Sequence, residues 1–540
     1  MPHSSCIKNQ RELWLQAGLL FLLVRGTIKA MSKSPGGAFL PIIALDPGSP
    51  MPLYKQLYDA IRQAILQGTL RRGLRLPSTR QISAELKISR NTVVIAFEQL
   101  LAEGYIECKT GSGTVVTNTL PDEVLQVQRQ QFNGNRTVSL RSKTVRKIAP
   151  LIPAMLDPKL RFAPFLYGLP ALDALPLDVW GRLLARHCRA ASIEIATHGD
   201  PAGFRRLREA ISSYLGVARG VRCHAGQVII VNGSQQAIDL TSRVLADPGD
   251  AAVVEDPGYP GVRWVLQAAG IKLVPLPVAR DGLRVELLLR EKVKAKLVYV
   301  TPSHQFPLGV ALSLANRLQL LDWAVRNNAW ILEDDYDSEY RYESRPLPAL
   351  QGLDRDGRVI YIGTFSKVLF PTLRLGYLVV PEDLVDAFVA TKWISDRCCP
   401  LVEQAALAEF ISEGYFASHI RRMRALYMER RSVMIETIRK ELGGLLEPWD
   451  PEAGMHTVAW LPPKVEDSQV SADAAKVGLN IFPVSRFALR PLPRGGLLLG
   501  YAAFSPEIIR KRVPDLESLI KTQVGGSGRK ANQVRLQVAG

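Results

Sequence analysis

Seven short apolar runs between Gln227 and Val380 constrain the fold of this 540-residue chain more than any other feature. They read "QVIIV", "AAVVED", "KLVPLP", "KLVYVT", "AWILEDD", "VIYIG" and "GYLVV", each about the length of one strand. Helical segments alternate with them. Strands apolar on both faces and separated by helices require a mostly parallel sheet covered on both sides. From about residue 400 the pattern changes to a long basic helix, "SHIRRMRALYMERRSVMIETIRKEL", followed by strands such as "HTVAWL" and "GLLLGYA". A smaller α+β lobe is expected there.

A second unit precedes this body, over residues 52–118. Leu53, Leu57, Ile61, Ala64 and Ile65 recur at helical spacing up to Gly68. "LPSTRQISAEL" starts another helix after Pro77 with Ser78 as its cap, and "ISRNTVVIAFEQLLAEG" a third with Ser89 as cap, ending at Gly104. "YIEC", "KTGSG" and "TVVT" then read as strand, glycine turn, strand. Two short helices followed by a hairpin make a winged helix-turn-helix, whose second helix presents its first residues to a DNA groove. Arg80, Ser89, Arg90, Thr92 and Lys109 are the expected DNA contacts, and Gly111 and Gly113 would let the wing approach the backbone.

Charge supports a polyanionic partner. The net charge is +17, with 9 Lys/Arg against 5 Asp/Glu over residues 52–118 and 8 against 3 over 119–162. Residues 119–160 are Gln-rich, basic and without sustained periodicity, and read as a linker. The apolar run "LWLQAGLLFLLV" (Leu13 to Val24) is too short to span a bilayer, and "GTIKAMS" after it is a poor cleavage site. Residues 1–51 are therefore read as a partly disordered extension, with Met31 as the expected start, and 524–540 as a disordered tail. Six cysteines without a CxxC pair and seven histidines without HExxH suggest a reducing, cytoplasmic setting and no metal site.

The body carries its own chemistry. Lys367 follows the strand "VIYIG" within "GTFSK", at a strand's carboxyl end, where α/β folds bind ligands. A lysine amine that forms a Schiff base with pyridoxal phosphate needs a buried, hydrogen-bonded setting and a fixed partner for the ring nitrogen. Thr364 and Ser366 offer hydroxyls, and Arg374 could clamp a phosphate. "NGSQQAIDL" opens a helix at Ser234 and Gln235, both side-chain donors beside amides suited to phosphate. "EDPGYPG" presents Tyr259, a ring fit to stack on a pyridine, and "ILEDDYDSEY" puts carboxylates at a strand end beside Tyr336, which could bond a phenolic oxygen.

The order helix, LPSxR, SRxTV, EGY, GSGT resembles the GntR-type winged helix throughout residues 52–118. The constellation from Gly233 to Arg374 resembles fold-type I aminotransferases, a likeness that spans roughly residues 165 to 520. By position it gives Asp334 the pyridine nitrogen, Lys367 the aldehyde and Arg374 the phosphate. Their fusion is similar to the MocR subfamily of GntR regulators, on "TPSHQFPLGV", "EDDYDSEYRY" and "GTFSKVLFPTLRLGY". That resemblance implies a multidomain protein: an α+β winged helix-turn-helix, then an α/β pyridoxal-phosphate-dependent aminotransferase-like domain over 161–523. It also implies a cofactor-binding sensor, a double-stranded DNA operator, a head-to-tail homodimer, a small amine or amino-acid effector, and no membrane association.

Three positions depart from working aminotransferases. Phe306-Pro307-Leu308-Gly309 stands where many have Asn-Pro-x-Gly, with His304 or Gln305 as the nearest substitutes. His198 replaces a tyrosine before "GDPAG". Leu498 replaces an arginine that would grip a substrate carboxylate, and Arg486 or Arg490 could supply charge from elsewhere. Efficient transamination is not expected, since losing a bidentate clamp removes orientation as well as binding; slow or partial turnover stays compatible. The first reading is a cofactor-responsive transcription regulator. The alternatives are an active aminotransferase carrying a DNA module, and a repressor whose large domain is only a dimerisation scaffold.

Overall fold

Local sequence sets each element of the first unit. A computed structural model describes residues 43–109, 113–118, 162–190, 197, 199–342 and 347–524. The expectations for residues 1–42, Gly111, residues 119–161, His198 and residues 525–540 lie outside these. Helix α1 (Leu53–Leu66) buries Leu57, Tyr58, Ile61, Ala64 and Ile65 along one face. Helix α2 (Thr79–Leu86) starts with a capping box: Ser78 Oγ accepts from the Gln81 amide, and the Gln81 side chain accepts from the Ser78 amide. Helix α3 (Arg90–Ala102) is capped by Ser89, whose Oγ accepts from the Thr92 amide at 3.1 Å. Strands β1 (Ile106–Lys109) and β2 (Gly113–Val116) pair antiparallel, Ile106 opposite Val116. One core joins Ile82, Val93, Phe97, Leu100 and Ile106 to the buried face of α1. Leu100 is fully buried, so truncating it to alanine would cost about 2–5 kcal/mol.

The body is built on an eight-stranded sheet. Its strands are β3 (Val228–Val231), β4 (Ala251–Asp256), β5 (Lys272–Ala279), β6 (Gly282–Leu283), β7 (Leu297–Val300), β8 (Trp330–Asp335), β9 (Val359–Thr364) and β10 (Gly376–Val379). Their spatial order is β3-β10-β9-β8-β7-β4-β5-β6. Pairing is parallel from β9 through β8, β7 and β4 to β5, whereas β10 runs antiparallel to both neighbours and β6 folds back on β5. Every residue of β3, β7, β9 and β10 is buried, which is why these runs are apolar throughout.

The pleat divides side chains between two cores: Ala252 and Val254 face one, Val253 the other. Helices α4 (Ser234–Leu245), α5 (Pro260–Ala268) and α6 (Val385–Asp396) pack on the first of these faces through Ile238, Val262 and Phe388. The smaller lobe contains helix α7 (Tyr415–Glu441) and an antiparallel sheet in the order β11 (Glu447–Pro448), β12 (His456–Trp460), β14 (Gly496–Gly500), β13 (Phe482–Pro483). The parallel strands bring their carboxyl ends to one edge, so Thr301, Asp334 and Thr364 from three strand ends line one cavity. Among the described residues, no helix is long and apolar enough to cross a membrane.

Candidate functional site

That cavity has a volume of about 180 Å³. All nine side chains expected around a cofactor line it: Ser234, Gln235, Tyr259, Asp334, Tyr336, Thr364, Ser366, Lys367 and Arg374. Lys367 sits just past β9 and its Nζ donates to the Gly168 carbonyl at 2.9 Å. Burial pulls this amine below the ordinary lysine value, against the opposing pull of Asp337 and Asp334. Gly168 has φ +78°, and a Cβ there would lie 2.7 Å from Nζ. The positive φ favours glycine there, and a side chain would also push the lysine amine from its place.

Three adjacent carboxylates on β8 have three settings. Asp334 faces the cavity; its Oδ2 accepts from the Tyr299 hydroxyl at 2.6 Å, while Oδ1 is buried without a partner. Burial lifts this carboxyl to about 7. Asp335, one residue on, accepts from Arg219 Nε at 2.8 Å and from the Tyr361 hydroxyl at 2.6 Å. Glu333 accepts from the amides of Leu350 and Gln351. Asp335 Oδ1 is unpaired as well, but of the three only Asp334 lines the cavity, so its open lone pair is the one a cavity ligand meets.

At the other end, Arg374 adopts φ +53° and its Nη2 donates to the Asn232 carbonyl at 2.8 Å. Gly233 lies beside the guanidinium and supplies the φ of +84° that the turn requires. Asn232 is held in turn by Asp396, which accepts from its Nδ2 at 2.6 Å and from Lys392 Nζ at 2.7 Å. Lys392 is fully buried. Gln235 Oε1 and Ser366 Oγ, like Asp334 Oδ1, are buried without partners. A buried polar atom left unpaired costs about 1–3 kcal/mol, so three around one cavity fit a polar ligand that completes them.

Tyr336 has a directed hydroxyl. Its oxygen lies 3.0 Å from His304 Nδ1, and that nitrogen is also 3.0 Å from both carboxylate oxygens of Asp337. A carboxylate accepts, so Nδ1 carries the hydrogen, and the Tyr336 hydroxyl hydrogen is free for a cavity ligand. His304 therefore acts through Tyr336 and does not itself line the cavity. Gln305, the other expected substitute, turns away: its Nε2 donates to the carbonyls of Pro257 and Phe306. Tyr259 stands edge-on to Phe306 with centroids 6.0 Å apart. Leu498 is fully buried with Phe306, Val458, Val484 and Phe487. Arg486 is exposed over the Phe482 ring, and Arg490 lines a separate cleft with Trp449 and Trp460. Neither arginine lines the lysine cavity.

Sequence reasoning missed Tyr167, Gly168, Tyr299, Asp337 and His456, all in the cavity wall. Tyr299 had a signal: within "KLVYVT" it shares a face with Thr301 by strand period. Tyr167 and Gly168 had none, lying about 200 residues before the lysine.

In the winged unit, Arg80 on α2 and Arg90 at the start of α3 are exposed, because Val93, Ala96, Phe97 and Leu100 take the buried face of α3. Ser89 and Thr92 hydroxyls lie 2.9 Å apart and serve the cap. Lys109 pairs with Glu107 at 3.0 Å, an exposed pair of little strength. Arg75, which sequence reasoning passed over, lays its guanidinium against Gly113 of the wing, 3.2 Å from where a Cβ would be.

Sequence comparison assigns both parts. Residues 53–116 match the family described as bacterial regulatory proteins, gntR family, and residues 170–511 match aminotransferase class I and II. These define the class: a DNA-binding winged helix fused to an aminotransferase-like body. The chain is 43% identical to the probable rhizopine catabolism regulatory protein MocR of Rhizobium meliloti, over 88% of this chain and 95% of that one. It is 33% identical to the pyridoxine biosynthesis transcriptional regulator PdxR of Corynebacterium glutamicum, over 88% and 97%. The kynurenine aminotransferase of Pyrococcus horikoshii shares the body's fold with a TM-score of 0.63 and 26% identity, covering 74% of this chain and 99% of that one. The chain belongs to the MocR-type GntR family of transcription regulators. These relatives spanning both parts are named as regulators and not as enzymes.

Proposed function

We propose that the body binds pyridoxal 5'-phosphate at Lys367 and that the ligand state of this site sets DNA affinity. The observation that carries the reading is the cluster of unpartnered buried atoms, Asp334 Oδ1, Ser366 Oγ and Gln235 Oε1, around a desolvated lysine amine. In this reading Lys367 takes the aldehyde and Asp334 holds a proton on the ring nitrogen. Arg374, Ser234, Thr364, Ser366 and, with its amide turned to present Nε2, Gln235 receive the phosphate, Tyr259 covers the ring, and Tyr336 donates to the phenolic oxygen. When bound, the cofactor supplies an electrophilic carbon that primary amines can reach. The fold neighbour from Pyrococcus horikoshii was solved with PMP, in keeping with this.

The DNA side uses Arg80, Ser89, Arg90, Thr92 and Lys109, with Ser89 and Thr92 shaping the helix start and the cations meeting phosphates. A homodimer in the cytoplasm would carry two such reading heads to two half-sites. A small amine or amino acid at the cofactor shifts DNA binding only as far as it favours one conformation of the dimer, about 1–3 kcal/mol in typical cases. The test is DNA affinity of the full chain on its own promoter region, with and without pyridoxal phosphate and in Lys367→Ala. A severalfold change that the substitution blunts is expected. Identical binding in all three would make the body a scaffold.

A further inference from the structure

We propose that the effector of this site is a primary amine that carries no carboxylate. The proposal rests on cofactor binding at Lys367 and adds the chemistry of what the cofactor meets. Among the described residues, the cations lining the cavity are Lys367 and Arg374. Lys367 is the attachment point, and Arg374 is turned to the Asn232 carbonyl beside Gly233, at the phosphate end. Neither is available to a second anion.

The opposite wall has the wrong chemistry for a carboxylate. Tyr167, Phe306, Met455 and His456 form it, with Tyr167 and Phe306 rings 5.5 Å apart. Leu498 backs Phe306 from the fully buried strand β14. His456 is neutral there: burial drives its ring down to about 3, and its Nε2 lies 3.2 Å from the Pro307 carbonyl. That nitrogen must be the donor, which leaves Nδ1 as an acceptor. The carboxyl groups that line the cavity, Asp334 and Asp337, disfavour a further anion, Asp337 even though both its oxygens lie 3.0 Å from His304 Nδ1. Arg486 does not line the cavity: its guanidinium lies 5.3 Å over Phe482, which stands edge-on to the wall ring Tyr167 at 5.0 Å, so its charge reaches Tyr167 from behind the wall without offering a cavity ligand a hydrogen bond. An incoming amine would form its double bond to the aldehyde carbon as the bond to the Lys367 nitrogen breaks, and the two protons given up by the incoming ammonium end on Lys367 Nζ, which leaves as an ammonium. Nothing is oxidised or reduced.

The experiment uses full-length protein reconstituted with pyridoxal phosphate and matched ligands with and without the carboxylate. 2-Phenylethylamine is set against L-phenylalanine, and ethanolamine against L-serine, with each pair normalised to free pyridoxal phosphate. The absorbance of the bound cofactor is read during titration. In each pair, the member lacking the carboxylate should half-saturate at a concentration about tenfold lower or better. Equal or tighter binding of the amino acids overturns the proposal, as does a cofactor band that neither class moves. Absence of any bound-cofactor band would instead remove the cofactor reading, and this proposal with it.

Discussion

Asp334→Asn separates a cofactor carboxylate from a merely buried acid. The side chain is 4% exposed, bonded by Tyr299 on Oδ2 and open on Oδ1. Burial raises its carboxyl from 3.8 to about 7. Between those values the folded chain keeps a proton that the unfolded chain has released. Stability without cofactor therefore falls as pH rises through that window and levels off above it. The full span corresponds to about 4 kcal/mol. Asparagine cannot ionise, so the variant escapes this loss while Tyr299 still has an oxygen to bond.

The gap between variant and wild type should move in the variant's favour by about 2–4 kcal/mol from pH 4 to pH 8. Glu333 and Glu339 are also lifted to about 7 by burial but are not among the groups Asp334 shifts, so they cancel in the difference; Glu255 is raised first by burial and in part by the Asp334 charge, so removing that charge relaxes it and moves the gap in the same direction. With cofactor the sign reverses. A neutral amide cannot hold the ring proton, and breaking a buried ion pair costs about 3–5 kcal/mol, so affinity should drop by about a hundredfold or more. Urea denaturation of cofactor-stripped chain at the two pH values gives the first quantity, and absorbance titration with pyridoxal phosphate the second. A gap independent of pH, or unchanged cofactor affinity, would refute the reasoning.

Lys367→Ala should abolish cofactor trapped on the chain by borohydride, read by peptide mass spectrometry, while circular dichroism stays native. Wild-type turnover with common amino donors and keto acids should stay below about 1 per second, an ordinary enzyme rate. Asp337→Asn, which loosens His304 and so the Tyr336 hydroxyl, should move the pH midpoint of the bound cofactor's absorbance by about one unit. His304→Asn should move it in the same direction, whereas a purely structural role would leave the midpoint in place. Arg80→Ala and Arg90→Ala should each weaken operator binding and, where the contact is to phosphate, lower the salt slope by about 1.

Much of the fold is legible because its causes are local. Ser78 with Gln81 and Ser89 with Thr92 fix helix starts within four residues, and the apolar runs of β3, β7, β9 and β10 announce strands buried on both faces. The strand-end position of Lys367 and the spacing from Ser234 to Arg374 were equally readable, since a parallel sheet gathers its carboxyl ends at one edge. The lysine's acceptor was not readable, because Gly168 lies 199 residues upstream. Nor could the sequence choose among Asp334, Asp335 and Asp337. The pleat turns Asp334 to the cavity and Asp335 to Arg219, and the turn after β8 delivers Asp337 to His304.

The departures from the enzyme pattern divide in the same way. Sequence alone established that Phe306 and Leu498 replace polar groups, and left open whether His304, Gln305, Arg486 or Arg490 makes up for them. Tertiary structure decided each case. Gln305 is held by backbone carbonyls, His304 reaches the cavity through Tyr336, Arg486 lies behind the aromatic wall, and Arg490 belongs to another cleft. Residue type and spacing determine what a segment can become. Which side chains share a site depends on where distant segments converge and which way the pleat turns them, and packing alone fixes both.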